Sequence, residues 1–229
     1  MASPVSAGRV IALVGAESTG KTTLARALAA QLPALTGAPV TWVGEWLREW
    51  CSREGRTPRS DEQAAIAAEQ QRRIDAAAAT HAWVVADTTP LMTAVYSALL
   101  FGDRSLLPLA AQAHRGYAAT LLTAVDLPWE ADGLQRDGEH VRAPVDRLVR
   151  ETLAAHGVGW SVVGGAGGAR VEAALDALAP LLRAHAGAAS GLFTRLAERE
   201  AVHAARAWVC SECDVPDCEH ATRRRRRGT

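Results

Sequence analysis

No apolar stretch in this 229-residue chain approaches the ~18 residues that a membrane-spanning helix needs. The first eight residues carry no charged segment followed by an apolar core, so no secretory signal is expected either, and a cytoplasmic location is the expectation. Net charge is missing as well, because 25 basic side chains balance 25 acidic ones. A body without a positive excess is not a general nucleic-acid binder. Cysteine is scarce: there are four, and three of them crowd into residues 210–218, which points to a metal before a disulfide framework. Internal repeats are absent. At 48% hydrophobic and 22% charged, the composition is that of an ordinary soluble domain with a sizeable core and room for an appendage. Its charge is unevenly placed. Arg223 to Arg227 form a block of five like charges, which leaves the remainder net acidic. Such a block reads as a solvated, disordered tail, and any nucleic-acid contact is expected only there.

Against that background, residues 9–23 stand out. Gly15, Gly20, Lys21 and Thr22 fit the G-x-x-x-x-G-K-[ST] pattern of a phosphate-binding loop. Residues 10–14 are a short apolar run that reads as a buried parallel strand. Residues 24–30 are strong helix formers, with Leu24 and Leu28 on one face. A strand, a glycine-bearing loop and a helix N-terminus in that order aim backbone N–H groups at one spot, where a polyphosphate can sit. The nucleotide contacts then fall to Gly15, Glu17, Ser18, Thr19, Gly20, Lys21, Thr22 and Thr23. Lys21 supplies a point charge on the β- and γ-phosphates, and the Thr22 hydroxyl a ligand for Mg²⁺. ATP and Mg²⁺ are the cofactors this implies.

Apolar runs recur along the chain with helical stretches between them, the pattern of an α/β fold with a parallel sheet of about five strands and helices on both faces. Strands are expected at 40–43, 82–86, 119–125 and 159–163. Helices are expected at 45–51, from a capping box at Ser60 to about Thr80, at 94–101, 106–117, 143–156 and 169–185. The domain organisation follows: a disordered 1–8, a core domain over 9–185, a linker at 186–191, a C-terminal helix and Cys/His appendage over 192–222, and a disordered arginine-rich 223–229.

In such sheets ligands sit beyond the C-terminal ends of the strands. The second strand stops at Glu45, with Arg48 one turn on; the third stops at Asp87; the fourth stops at Asp126 and leads to Trp129 and Asp132. Acids converging on a γ-phosphate suit phosphoryl transfer, which needs positioned charge and a proton acceptor. Glu45 fits the general base and Asp87 the partner of the metal, and the two roles can be exchanged. The polar segment 126–141 reads as a lid. Of its arginines, Arg136 and Arg142 are the candidates to neutralise charge during transfer.

These residues reach a family resemblance. The run from Gly15 to Leu24, the Glu45-x-x-Arg48 and Asp87-Thr88 strand ends, and above all the lid from Leu127 through Pro128-Trp129-Glu130-Ala131-Asp132-Gly133 to Arg136 resemble the ribosylnicotinamide kinase domain of NadR-type proteins over about residues 9–182. The resemblance implies a P-loop kinase-like fold and ATP-dependent phosphorylation of nicotinamide riboside at its 5′-hydroxyl, a step of NAD biosynthesis. It places Glu45, Arg48 and Asp87 around the riboside and Trp129 and Asp132 in the lid. Trp129 either stacks on the nicotinamide ring or anchors the lid. The bifunctional relatives carry a nucleotidyltransferase domain ahead of the kinase; only residues 1–8 precede the first strand here, so adenylyl transfer is not expected.

Cys210, Cys213, Cys218 and His220 place four soft ligands within eleven residues. C-x-x-C is the usual half of a structural zinc site, although Cys218-x-His220 is closer than the common second half. A zinc knuckle is one reading and a flexible tail with incidental cysteines the other. The rival to the kinase is accordingly a regulatory P-loop ATPase whose C-terminal tail binds protein or nucleic acid.

Overall fold

The computed structural model describes residues 8–130 and 138–186. Expectations for Asp132, Arg136, the linker, the Cys210–His220 cluster and the arginine tail lie outside the described residues. The chain divides into two units, Met1–Leu182 and Arg183–Thr229, and the sheet and every site residue described belong to the first.

Five strands, β1 (Arg9–Val14), β2 (Val40–Val43), β3 (Trp83–Asp87), β4 (Ala119–Thr123) and β5 (Ser161–Val163), form one sheet in the order β2-β3-β1-β4-β5. Every pairing is parallel, with Leu13 opposite Asp87 and also opposite Leu121. The two central strands are covered on both faces: Ile11 to Val14 and Trp83 to Ala86 are fully buried. That is why they read as unbroken apolar runs instead of alternating ones. Between the strands lie α1 (Lys21–Thr36), α2 (Trp46–Glu54), α3 (Gln63–Ala78), α4 (Pro90–Phe101), α5 (Leu107–His114), α6 (Arg142–Ala155) and, after β5, α7 (Gly167–Ala186).

The chain runs outward from β1 to β2 and then inward to β3, on to β4 and β5. With right-handed crossovers, α1 covers one face while α3, α4 and α6 cover the other, where α4 packs against both α3 and α6. That reversal at β1 opens a crevice at the C-terminal strand ends. The apolar stripe that seats α1 is Leu24, Leu28 and Leu32, all 2% exposed or less. Among the described residues no helix is long and apolar enough to cross a membrane.

Several boundaries move. The fourth strand stops at Thr123, two residues short of expectation, and the helix expected to reach Tyr117 ends at His114. Residues 60–62 form a 3-10 turn, and the acid that reaches back is Glu62, accepting from the Arg59 N–H at 2.8 Å. The cap therefore sits one residue ahead of Ser60.

Candidate active site

The loop after β1 is built around two threonines and two glycines. Gly15 has φ 143°, and a Cβ there would lie 2.2 Å from Thr123 Oγ1. Only glycine therefore lets the end of β4 lie against the loop. Thr19 Oγ1 donates to the Ala16 carbonyl at 2.7 Å and lies 2.6 Å from Thr123 Oγ1, which in turn donates to the Val14 carbonyl at 3.2 Å. These bonds pin the loop from inside. Gly20, with φ 76°, ends it as the N-cap of α1. That helix start carries no side-chain cap and no acid in its first turn, so its leading amides keep their capacity for an anion.

Lys21 is the only lysine in the sequence. Its Nζ curls back to donate to the carbonyls of Gly15 at 2.8 Å and Ala16 at 2.7 Å. Burial lowers its pKa, opposed by the nearby charges of Glu45 and Asp87. Asp87 closes β3 and is 1% exposed. Burial raises its pKa, and the neighbouring Thr22 hydroxyl pulls the other way. Among the described residues its Oδ1 has no hydrogen-bond partner. Glu45 precedes α2 without forming a side-chain cap on it, and the Nε of Arg48, one turn into that helix, lies 3.7 Å from its carboxylate.

A cleft of about 1190 Å³ runs along the loop and is also lined by Glu45, Arg48, Tyr96, Leu127 and Glu130. The expected loop residues from Glu17 to Thr23 line it together with Glu45 and Arg48. Residues 127–130 are strapped to the loop: Ser18 Oγ donates to the Glu130 carbonyl at 2.8 Å and accepts from its N–H at 3.1 Å. The Trp129 indole N–H reaches Glu17 at 3.5 Å. Arg142 is 4% exposed and does not line the cleft; its Nη2 donates to the Leu127 carbonyl at 2.7 Å, which holds the strap from beneath.

Asp126, expected beside the other acids, is used elsewhere. The Arg170 guanidinium pairs with it, and its Oδ2 accepts from the Gly165 N–H at 2.6 Å. Arg170 also donates to the Gly165 and Val163 carbonyls, so β4 and β5 end in a shared knot. Arg150 is tied to Asp146 at 2.7 Å on the surface of α6. His114 is buried between the Thr89 and Thr120 hydroxyls, and burial drops its pKa to about 4, so it stays neutral.

Two residues that sequence reasoning missed carry this geometry: Arg170, and Gln70 on α3. Gln70 is 2% exposed. Its Oε1 accepts from the Trp46 N–H at 2.7 Å, and its Nε2 donates to the Gly44 and Thr88 carbonyls at 3.2 and 3.3 Å. The available signal was a polar residue inside the apolar stripe of α3, flanked by Ile66 and Ile74.

Residues 10–170 match the family model described as an AAA domain. No curated protein matches the chain. Among solved structures, it is similar to a NadR protein in complex with NAD and AMP-PNP, at a TM-score of 0.60 and 24% identity over 76% of this chain and 49% of that one. A NadR protein in complex with NR gives a TM-score of 0.60 and 23% identity over 76% and 51%. Thymidylate kinase from Ehrlichia chaffeensis gives 0.55 and 16% over 77% of this chain and all of that one. The chain thus spans about half the length of the NadR proteins it resembles.

Proposed function

Because the chain belongs to the AAA domain family and has the fold of P-loop kinases, we propose that it is an ATP-dependent nucleoside kinase, with nicotinamide riboside as its acceptor. One observation carries the reading. Uncapped amides of α1 and the sole lysine face the same cleft as Glu45, with Asp87 buried beside them. That set supplies phosphate binding and a proton acceptor together, which is what phosphoryl transfer asks of a protein. The choice of a riboside rests on the lid sequence around Trp129 and on the likeness to a NadR protein in complex with NR.

The residues divide the work as follows. Residues Gly15 to Thr23 hold the triphosphate through backbone amides, and Lys21 swings from the Gly15 and Ala16 carbonyls to its β- and γ-oxygens. Thr22 and Asp87 fit Mg²⁺: a hydroxyl and a carboxylate with one unpartnered oxygen are the hard ligands it takes. Bound there, the ion neutralises charge on the phosphates. Glu45 accepts the proton of the 5′-hydroxyl as that oxygen attacks the γ-phosphorus and ADP leaves. Arg48, paired with Glu45, orients it toward the acceptor. Trp129 and Arg142 act on the covering strap, one binding it to Glu17 and the other fixing Leu127.

ATP consumption with and without nicotinamide riboside tests the reading. Strong stimulation and a phosphorylated riboside are expected. Basal hydrolysis that ignores ribosides and rises with a macromolecule would instead favour a regulatory ATPase.

A further inference from the structure

A single buried amide lies between the two strand ends that carry the acids. Gln70 takes a position on α3 where an apolar side chain would pack without cost, between Ile66 and Ile74. A buried amide is tolerated only where its hydrogen-bonding groups are met. Those of Gln70 are met by backbone on either side of the site. Gly44 and Trp46, which bracket Glu45, give it one acceptor and one donor; Thr88, next after Asp87, gives it another acceptor. None of these bonds serves α3 itself.

The partner just beyond β3 is unusual. Thr88 has φ 73°, the left-handed region that a β-branched residue rarely enters. Such a conformation persists only where its surroundings hold it, and it gathers at functional sites. Here the Thr88 N–H donates to the Leu13 carbonyl at 3.1 Å and its own carbonyl is taken by Gln70. The strained turn is thus held at both ends.

We propose that Gln70 is a positioning residue: by tying the end of β2 to the strained end of β3, it sets the separation and orientation of Glu45 and Asp87. It contacts no substrate. This rests on the kinase reading and deepens it, since two acids sharing one phosphoryl transfer must hold a fixed spacing while the cleft fills.

The test uses Gln70→Glu, which keeps the acceptor for the Trp46 N–H but turns a carboxylate oxygen toward two carbonyls, and Gln70→Met, which keeps length alone. Both are assayed on folded protein well below its melting temperature, with wild type measured on the same ribosides. The expected result is a kcat lower by roughly 10- to 100-fold, as a small misplacement of reacting groups produces. The KM for ATP should stay within about twofold, because the loop is untouched. Folded variants with wild-type kcat, equal losses in kcat and in ATP affinity, or failure of both variants to fold would each overturn the proposal and make Gln70 a packing residue. If wild type is active, such results sink this inference alone; if wild type is inert toward every riboside, the kinase reading falls and takes it along.

Discussion

Replacing Asp87 by asparagine separates the cost of this carboxylate to the fold from its value to the reaction. The side chain is 1% exposed, and among the described residues its Oδ1 meets no hydrogen-bond partner. Burial dominates its environment and raises its pKa despite Lys21, Arg48 and Arg26. A group whose folded pKa lies above its unfolded one opposes folding when ionised. The protein should therefore gain stability as pH falls through the folded value toward the ordinary carboxylate value. The Asp87→Asn variant keeps the shape while removing the charge. Removing the charge relieves its desolvation, worth about 1.4 kcal/mol for each tenfold change in the ionisation constant that burial causes, so in the absence of nucleotide the variant should melt at least roughly 3 °C above wild type at neutral pH. That advantage should shrink in acid, where the wild-type carboxyl protonates. Turnover should fall by at least ~10²-fold, in the range lost with an essential acid or base. Thermal unfolding across pH and a coupled ATP assay read the two effects. A variant that melts below wild type at neutral pH and keeps wild-type kcat would refute the reasoning on both counts.

Other outcomes follow from the same geometry. With a single lysine in the chain, an amine-selective reagent should add one side-chain adduct, at Lys21, and Mg²⁺ with a non-hydrolysable ATP analogue should suppress it; labelling indifferent to nucleotide would place the phosphates elsewhere. Gly15→Ala forces a Cβ to within 2.2 Å of Thr123 Oγ1, so nucleotide affinity read by calorimetry should drop at least ~10-fold; unchanged affinity would show that the loop adapts. Arg170→Met leaves Asp126 and two carbonyls without their donor and should destabilise by about 2–4 kcal/mol in denaturant unfolding; a change under ~0.5 kcal/mol would dismiss the knot.

Much of this was legible in the residues because it is local. The phosphate loop declares itself through glycines whose backbone needs, φ 143° at Gly15 and 76° at Gly20, no other residue meets as well. The central strands show as short apolar runs because both faces of the sheet are covered there. Glu45, Arg48 and Asp87 follow from where those runs stop. What stayed hidden is non-local. Gln70 meets partners 18, 24 and 26 residues away, and nothing in α3 announces them. Asp126 looked like one more acid at a strand end, but Arg170, 44 residues on, claims it. Arg142 was expected over the phosphates and is found beneath the strap, because the carbonyl of Leu127 lies within its reach. Strand and helix ends slipped by two or three residues where side-chain bonds such as that of Glu62 outweigh propensity.

The most direct measurement incubates the purified protein with Mg²⁺, ATP and a panel of ribosides and deoxyribosides, and identifies the products by mass spectrometry. The account predicts nicotinamide mononucleotide and ADP in equal amounts, abolished by Lys21→Met. ATP that is hydrolysed at one rate whatever nucleoside is present, with no phosphorylated product, would contradict it.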